Sequence, residues 1–131
     1  MTSQKDSVGT FIFKPIQANF LYDRDPVGKM NPYCKFKLGR HKGKSSVAKH
    51  EGSHPTWTDV IILKRKHKEH FAKVKVKDKD RISLNPNLGE VKIDLEEVIT
   101  KGRVIQTYTL KKKDKVSGDL LIAIEYVPIN I

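Results

Sequence analysis

Between Phe71 and Asp78 the chain reads Phe-Ala-Lys-Val-Lys-Val-Lys-Asp, and this run constrains the fold more tightly than any other. Ala72, Val74 and Val76 alternate with Lys73, Lys75 and Lys77. A period of two is the signature of a strand, with one apolar face and one cationic face. Pro32-Tyr-Cys-Lys-Phe-Lys-Leu38 repeats the pattern, with Cys34, Phe36 and Leu38 opposite Lys35 and Lys37. At 131 residues a single domain with one core is expected.

Short alternating or β-branched runs, separated by clusters of Gly, Pro, Asn and Asp, continue along the whole chain at the spacing of an all-β sandwich. Strands are predicted near 10–16, 33–39, 44–49, 57–64, 71–77, 88–94, 104–110 and 118–127, and only Leu95 to Lys101 offers a helical turn. Met1 to Val8 is polar and the first apolar run contains Lys14 and Pro15, so no signal peptide is expected. No segment is long and apolar enough to span a bilayer. A cytoplasmic protein with only peripheral membrane contact is therefore expected. Cys34, the only cysteine, cannot form an internal disulfide, which agrees with a reducing compartment.

Five pieces of the chain, in order, resemble the C2 domain, the calcium- and phospholipid-binding β-sandwich. Gly9-Thr-Phe-Ile-Phe13 with Ala18 and Leu21 is similar to its opening strand, and Pro32 to Leu38 to its second. His54-Pro-Thr-Trp57 stands where the family carries asparagine, proline and tryptophan. Leu88-Gly89 resembles the pair closing the third loop, and Gly118 to Tyr126 a final strand. The resemblance implies an eight-stranded antiparallel Greek-key β-sandwich in the type II permutation, over 9–128 between short tails at 1–8 and 129–131. It also implies that Tyr33 and Trp57 are mostly core aromatics.

Charge is concentrated in one stretch. Lys29 to Arg81 holds 16 Lys and Arg against 5 Asp and Glu, a surplus equal to the formal net charge of +11 for the whole chain. The resemblance implies that the strands carrying Lys35, Lys37, Lys42, Lys44, Lys73, Lys75 and Lys77 share one sheet, with the first four on or near the family's lysine-rich, phosphoinositide-receiving groove. The plain alternative is a solvated outer face, but such a face has no need of one sign, and packing lysines together costs repulsion. Lysines near an anionic leaflet contribute about 1 kcal/mol each, enough together for reversible, salt-sensitive attachment to anionic membrane lipids.

Calcium takes about 6 to 8 oxygen ligands, and affinity rises with ligand charge. The resemblance carries the aspartates of calcium-dependent members onto Asp25, Asn31, Asp78, Asp80 and Pro86. Asp25, Asp78 and Asp80 remain as a degraded metal site, crowded by Lys29, Lys77, Lys79 and Arg81, and their alternative role is structural, pairing with neighbouring lysines or accepting backbone N–H bonds that hold the loops. Calcium is therefore not expected to be required. At the same end, Leu21, Tyr22, Val27 and Met30 in the first loop and Ile82 and Leu84 in the third are apolar, and Ile82 and Leu84 are the candidate membrane tips.

A second basic zone, Lys64 to Lys68 with Lys111 to Lys115, is expected in loops at the end opposite the aspartates. Its plain meaning is solubility or turn chemistry, but it keeps open a competing reading, a structural protein docking on an acidic cytoskeletal polymer such as microtubules or on a larger assembly. Nucleic acid is a weaker partner, because single-strand binders interleave basic residues with stacking aromatics. Here Val, Phe and Cys fill the alternate positions. Catalysis is not expected, since His41, His50, His54, His67 and His70 lack metal-ligand spacing and no nucleophile has a base.

Overall fold

The computed structural model describes residues 8–21, 30–49, 51–79 and 87–129. Eight strands and one short helix follow in the order β1 Gly9–Phe20, β2 Pro32–Leu38, β3 His41–Lys44, β4 Ile61–Arg65, β5 Phe71–Asp78, β6 Asn87–Asp94, α1 Glu96–Lys101, β7 Arg103–Lys112 and β8 Lys115–Pro128. All pairings are antiparallel, in the spatial order β3-β2-β5-β6-β7-β8-β1-β4. Between β6 and β7 the ladder consists of one pair, Glu90 with Lys111. The assembly is therefore two four-stranded sheets folded over one core. The chain crosses from one to the other after β1, β3, β4 and β6, which is the Greek-key arrangement expected.

Alternation decides which residues the sheets enclose. Phe11, Phe13, Phe36, Leu38, Val74, Val76, Ile93, Leu120, Ile122 and Ile124 all lie in the core, with the Phe13 and Phe36 rings meeting between the sheets in a tilted contact at 5.1 Å. β8 lies between β1 and β7, as the type II permutation requires. At the open edges β3 meets β4 closely: a Cβ on Gly43 would stand 2.6 Å from Ile61 Cγ2. Only glycine lets those strands approach.

Two expected strands are displaced. The strand anticipated at 44–49 is instead His41–Lys44. Beyond it the Ser45 hydroxyl accepts the Cys34 N–H and donates to the Ser46 carbonyl, each within 2.9 Å, while Asp59 holds Ser46. These side-chain bonds compete with the ladder and bend the chain away. The strand anticipated at 57–64 begins at Ile61, because Trp57 is tied by its N–H to the Ile16 carbonyl at 3.0 Å.

Arg65 is the largest correction to the charge map. Expected in a solvated basic loop, it ends β4 and is completely buried. Its Nε donates to the Glu69 carbonyl at 3.0 Å and its guanidinium lies 5.5 Å from the Tyr126 ring centroid. Inward alternation with Ile61 and Leu63 dictates this. A buried charge needs such partners, and they are present.

Candidate functional site

The seven lysines expected on one face are brought together by strand register. Lys44 opposes Lys35, Lys35 opposes Lys75, Lys75 opposes Glu90 and Glu90 opposes Lys111, one row across five strands. A second row runs Lys42, Lys37, Lys73, Lys92. Lys77 lies beside Tyr33 and Asn87. At the usual strand spacing a five-strand row spans about 19 Å.

Concavity accompanies the charge. Lys35, Phe36, Lys37, Lys42, Lys73 and Lys75 line a depression of about 230 Å³. A neighbouring groove of about 540 Å³ shares Lys37 and Lys73 and includes Phe71, Glu90 and Lys92. Phe71, half-exposed, carries the Lys92 ammonium 4.3 Å from its ring centroid. Glu90 makes a 3.4 Å ion pair with Lys73 and is the only acid in the two rows. The rest of the array repels itself: the Lys35 ammonium has a lowered pKa, first from the charge of Lys77, then from burial and from Lys42, Lys75 and Lys44.

Lys92 and Lys111 were not among the expected residues. Lys92 was legible, since it alternates with Val91 and Ile93 as the other lysines alternate with their neighbours. The acids Glu90 and Asp94 on either side masked the pattern. Lys111 joins the row only through the β6–β7 pair.

Of the expected metal positions, Asp78 alone among the carboxylates is described, and Asp25 and Asp80 lie outside the described residues, as do Ile82 and Leu84. Asp78 is buried, and its Oδ1 accepts the Asn31 N–H at 2.9 Å while the Lys79 N–H donates to the Asn31 carbonyl at 3.0 Å. The carboxylate thus helps join the end of β5 to the approach to β2. Met30 packs into the core, Leu21 is 66% exposed, and Tyr33 is half-buried on the lysine face rather than in the core.

The two basic segments lie at opposite ends of the sandwich, contrary to expectation. Lys64 to Lys68 leads from β4 into β5, beside the start of β1, where Gly9 pairs with Arg65. The β7–β8 hairpin containing Lys111 to Lys115 sits where β1 ends, since Gly118 pairs with Phe20. That is also the end where β5 reaches Asp78. Parity gives the reason: successive antiparallel strands alternate ends, and the fourth and seventh connections differ by an odd number. The signal was present in the strand count.

An antiparallel sandwich with a lysine-lined, concave outer surface on one sheet is a β-sandwich binding module. Sequence comparison gives the class its particular form: the chain belongs to the C2 domain family, whose profile matches residues 9–110. Members of this family are membrane- and lipid-binding modules and are typically not catalysts. The chain is 28% identical to elicitor-responsive protein 3 of Oryza sativa subsp. japonica, over 92% of this chain and 84% of that protein. It is 29% identical to 16 kDa phloem protein 2 of Arabidopsis thaliana, covering 92% and 82%. A solved C2 domain-containing protein, 27% identical, superposes with a TM-score of 0.83 over 95% of this chain and 93% of its own. Among the described residues no helix is long and apolar enough to cross a membrane.

Proposed function

We propose that this domain attaches peripherally to anionic membranes on the cytoplasmic side, with phospholipid or phosphoinositide phosphates in the lysine-lined depression and no requirement for calcium. The reading rests on the two cross-strand rows, in which Lys44, Lys35 and Lys75, and Lys42, Lys37, Lys73 and Lys92, stand directly opposed. Opposed like charges destabilise a ladder, and the Lys35 pKa is lowered first by its diagonal neighbour Lys77, then by burial and by Lys42, Lys75 and Lys44 of the rows. Anions seated between the rows offset that cost. At about 1 kcal/mol for each engaged lysine, half the array gives several kcal/mol, enough for reversible attachment.

Calcium independence is supported by the chemistry of the candidate metal positions. Asn31 and Pro86 bring no charge, and an Asp78 oxygen already serves a backbone amide. The apolar residues Ile82 and Leu84 belong to the same proposal as membrane tips.

Co-sedimentation with vesicles carrying phosphatidylserine, with and without phosphoinositide, in calcium and in chelator, tests the reading. Binding in chelator that the pair Lys35→Glu and Lys75→Glu abolishes is the expected result. Binding only in calcium would instead make Asp25, Asp78 and Asp80 a working metal site. Absence of vesicle binding, with co-pelleting on microtubules, would transfer the cationic face to an acidic cytoskeletal polymer.

A further inference from the structure

The β7–β8 hairpin has features that a bland solvated turn does not require. Lys111, Lys112, Lys113 and Lys115 crowd around one turn, with Lys112 directly opposite Lys115. The two turn residues, Lys113 and Asp114, have φ of 51° and 65°, the left-handed pair of a tight hairpin, usually filled by Asn and Gly. Charge thus occupies positions where the backbone favours other residues. Val116, opposite Lys111, is 51% exposed.

The hairpin is also held firmly at its base. The Leu21 N–H donates to the Ser117 carbonyl at 3.0 Å, and any side chain at Gly118 would strike the Asn19 carbonyl. This close approach brings Val116 and Leu21, both exposed, to the same end of the sandwich. Lys111, moreover, is the last member of the row that begins at Lys44. The cationic surface of one sheet therefore continues across the β6–β7 pair onto the hairpin.

We propose that the β7–β8 hairpin is a second membrane contact, with Lys111, Lys113 and Lys115 among the phosphates of an anionic leaflet and Val116 and Leu21 at its hydrocarbon boundary. This inference rests on the membrane-binding reading and adds an orientation to it: the bilayer meets the lysine rows and the Asp78 end together. Positive charge next to exposed aliphatic side chains is what the headgroup boundary accommodates. The aliphatic pair beside the lysines favours a leaflet over an acidic surface that offers charge alone.

The buried Cys34 thiol, whose pKa burial pushes up, leaves a new surface cysteine as the single reactive site. Val116→Cys and, at the far end, Lys64→Cys are each labelled with an environment-sensitive fluorophore and mixed with phosphatidylcholine vesicles carrying phosphatidylserine and phosphoinositide. A blue shift at position 116 and none at 64 is expected, along with about a tenfold or greater loss of partitioning in the triple variant Lys111→Glu, Lys113→Glu, Lys115→Glu. Unlabelled wild-type protein that binds these vesicles while the label at 116 does not shift overturns the hairpin contact and leaves the lysine rows intact. Wild-type protein that does not bind them at all overturns the membrane reading itself. All three lysines are exposed, and a thermal melt matching wild type verifies that the triple variant is folded.

Discussion

At the scale of single residues, the environment decides what a positive charge does. Arg65 and Lys35 lie on strands of the same sandwich, one inside it and one outside. Arg65 is satisfied by a carbonyl and an aromatic ring, while Lys35 meets four other ammonium groups and holds its proton less firmly than an ordinary lysine. Because the folded form binds that proton more weakly, the unfolded chain is the better proton acceptor, and this lysine's contribution to stability rises as pH climbs through the lowered pKa toward 10.5. The wild-type urea midpoint relative to that of Lys35→Gln should rise from neutral pH up to that value, the difference separating Lys35 from buried Cys34 and from Tyr108, whose raised pKa values lower stability in the same range. Adding inositol phosphate should flatten that rise, because a bound anion restores the lysine's hold on its proton. A difference that stays constant with pH would mean the repulsion lies elsewhere. Asp78 makes the complementary point: the resemblance offers it either as a metal ligand or as a carboxylate that holds the loops, and its burial and its bond to Asn31 fit the second use.

At the scale of elements, the register of each ladder does what no strand does alone. The alternation in β2 and β5 was readable, because facing follows from a local period. The boundaries of β3 and β4 were not, because Ser45 and Trp57 form bonds with partners distant in sequence that end the ladder early or delay its start. The β7–β8 hairpin gives a quantitative prediction. Asp114→Gly relieves the left-handed strain and keeps every lysine, so it should stabilise the domain by up to about 1 kcal/mol without weakening vesicle binding. Thermal melting and vesicle partitioning on the same sample check both halves. A destabilised variant would mean that the Asp114 side chain itself contributes to the turn.

At the scale of the whole molecule, the two sheets present different outer faces. One carries the lysine rows; the other carries Ile62 on β4, Ile105 on β7 and Val127 on β8, each about half-exposed or more. Membrane attachment through the first should weaken steeply with salt, as the screening length falls from about 10 Å at 0.1 M to about 3 Å at 1 M. Lys64→Glu with Lys66→Glu, at the end away from Asp78, should shift partitioning by less than about twofold at physiological salt, where screening acts within about 8 Å. An equal effect from both ends would indicate binding governed by net charge and not by a surface. The sequence by itself determined the all-β class, the identity of most strands and the one-sidedness of the cationic residues, because period-two alternation is a local property of the chain. Only the tertiary structure decided that lysines from β3, β2, β5 and β6 would line up in two rows, that Arg65 would turn inward to Tyr126, and that Lys111 would extend a row onto the far sheet. Those outcomes depend on pairings between segments far apart in sequence, such as Gly9 with Pro128 and Glu90 with Lys111, and the free energy that selects a register belongs to the packed core as a whole.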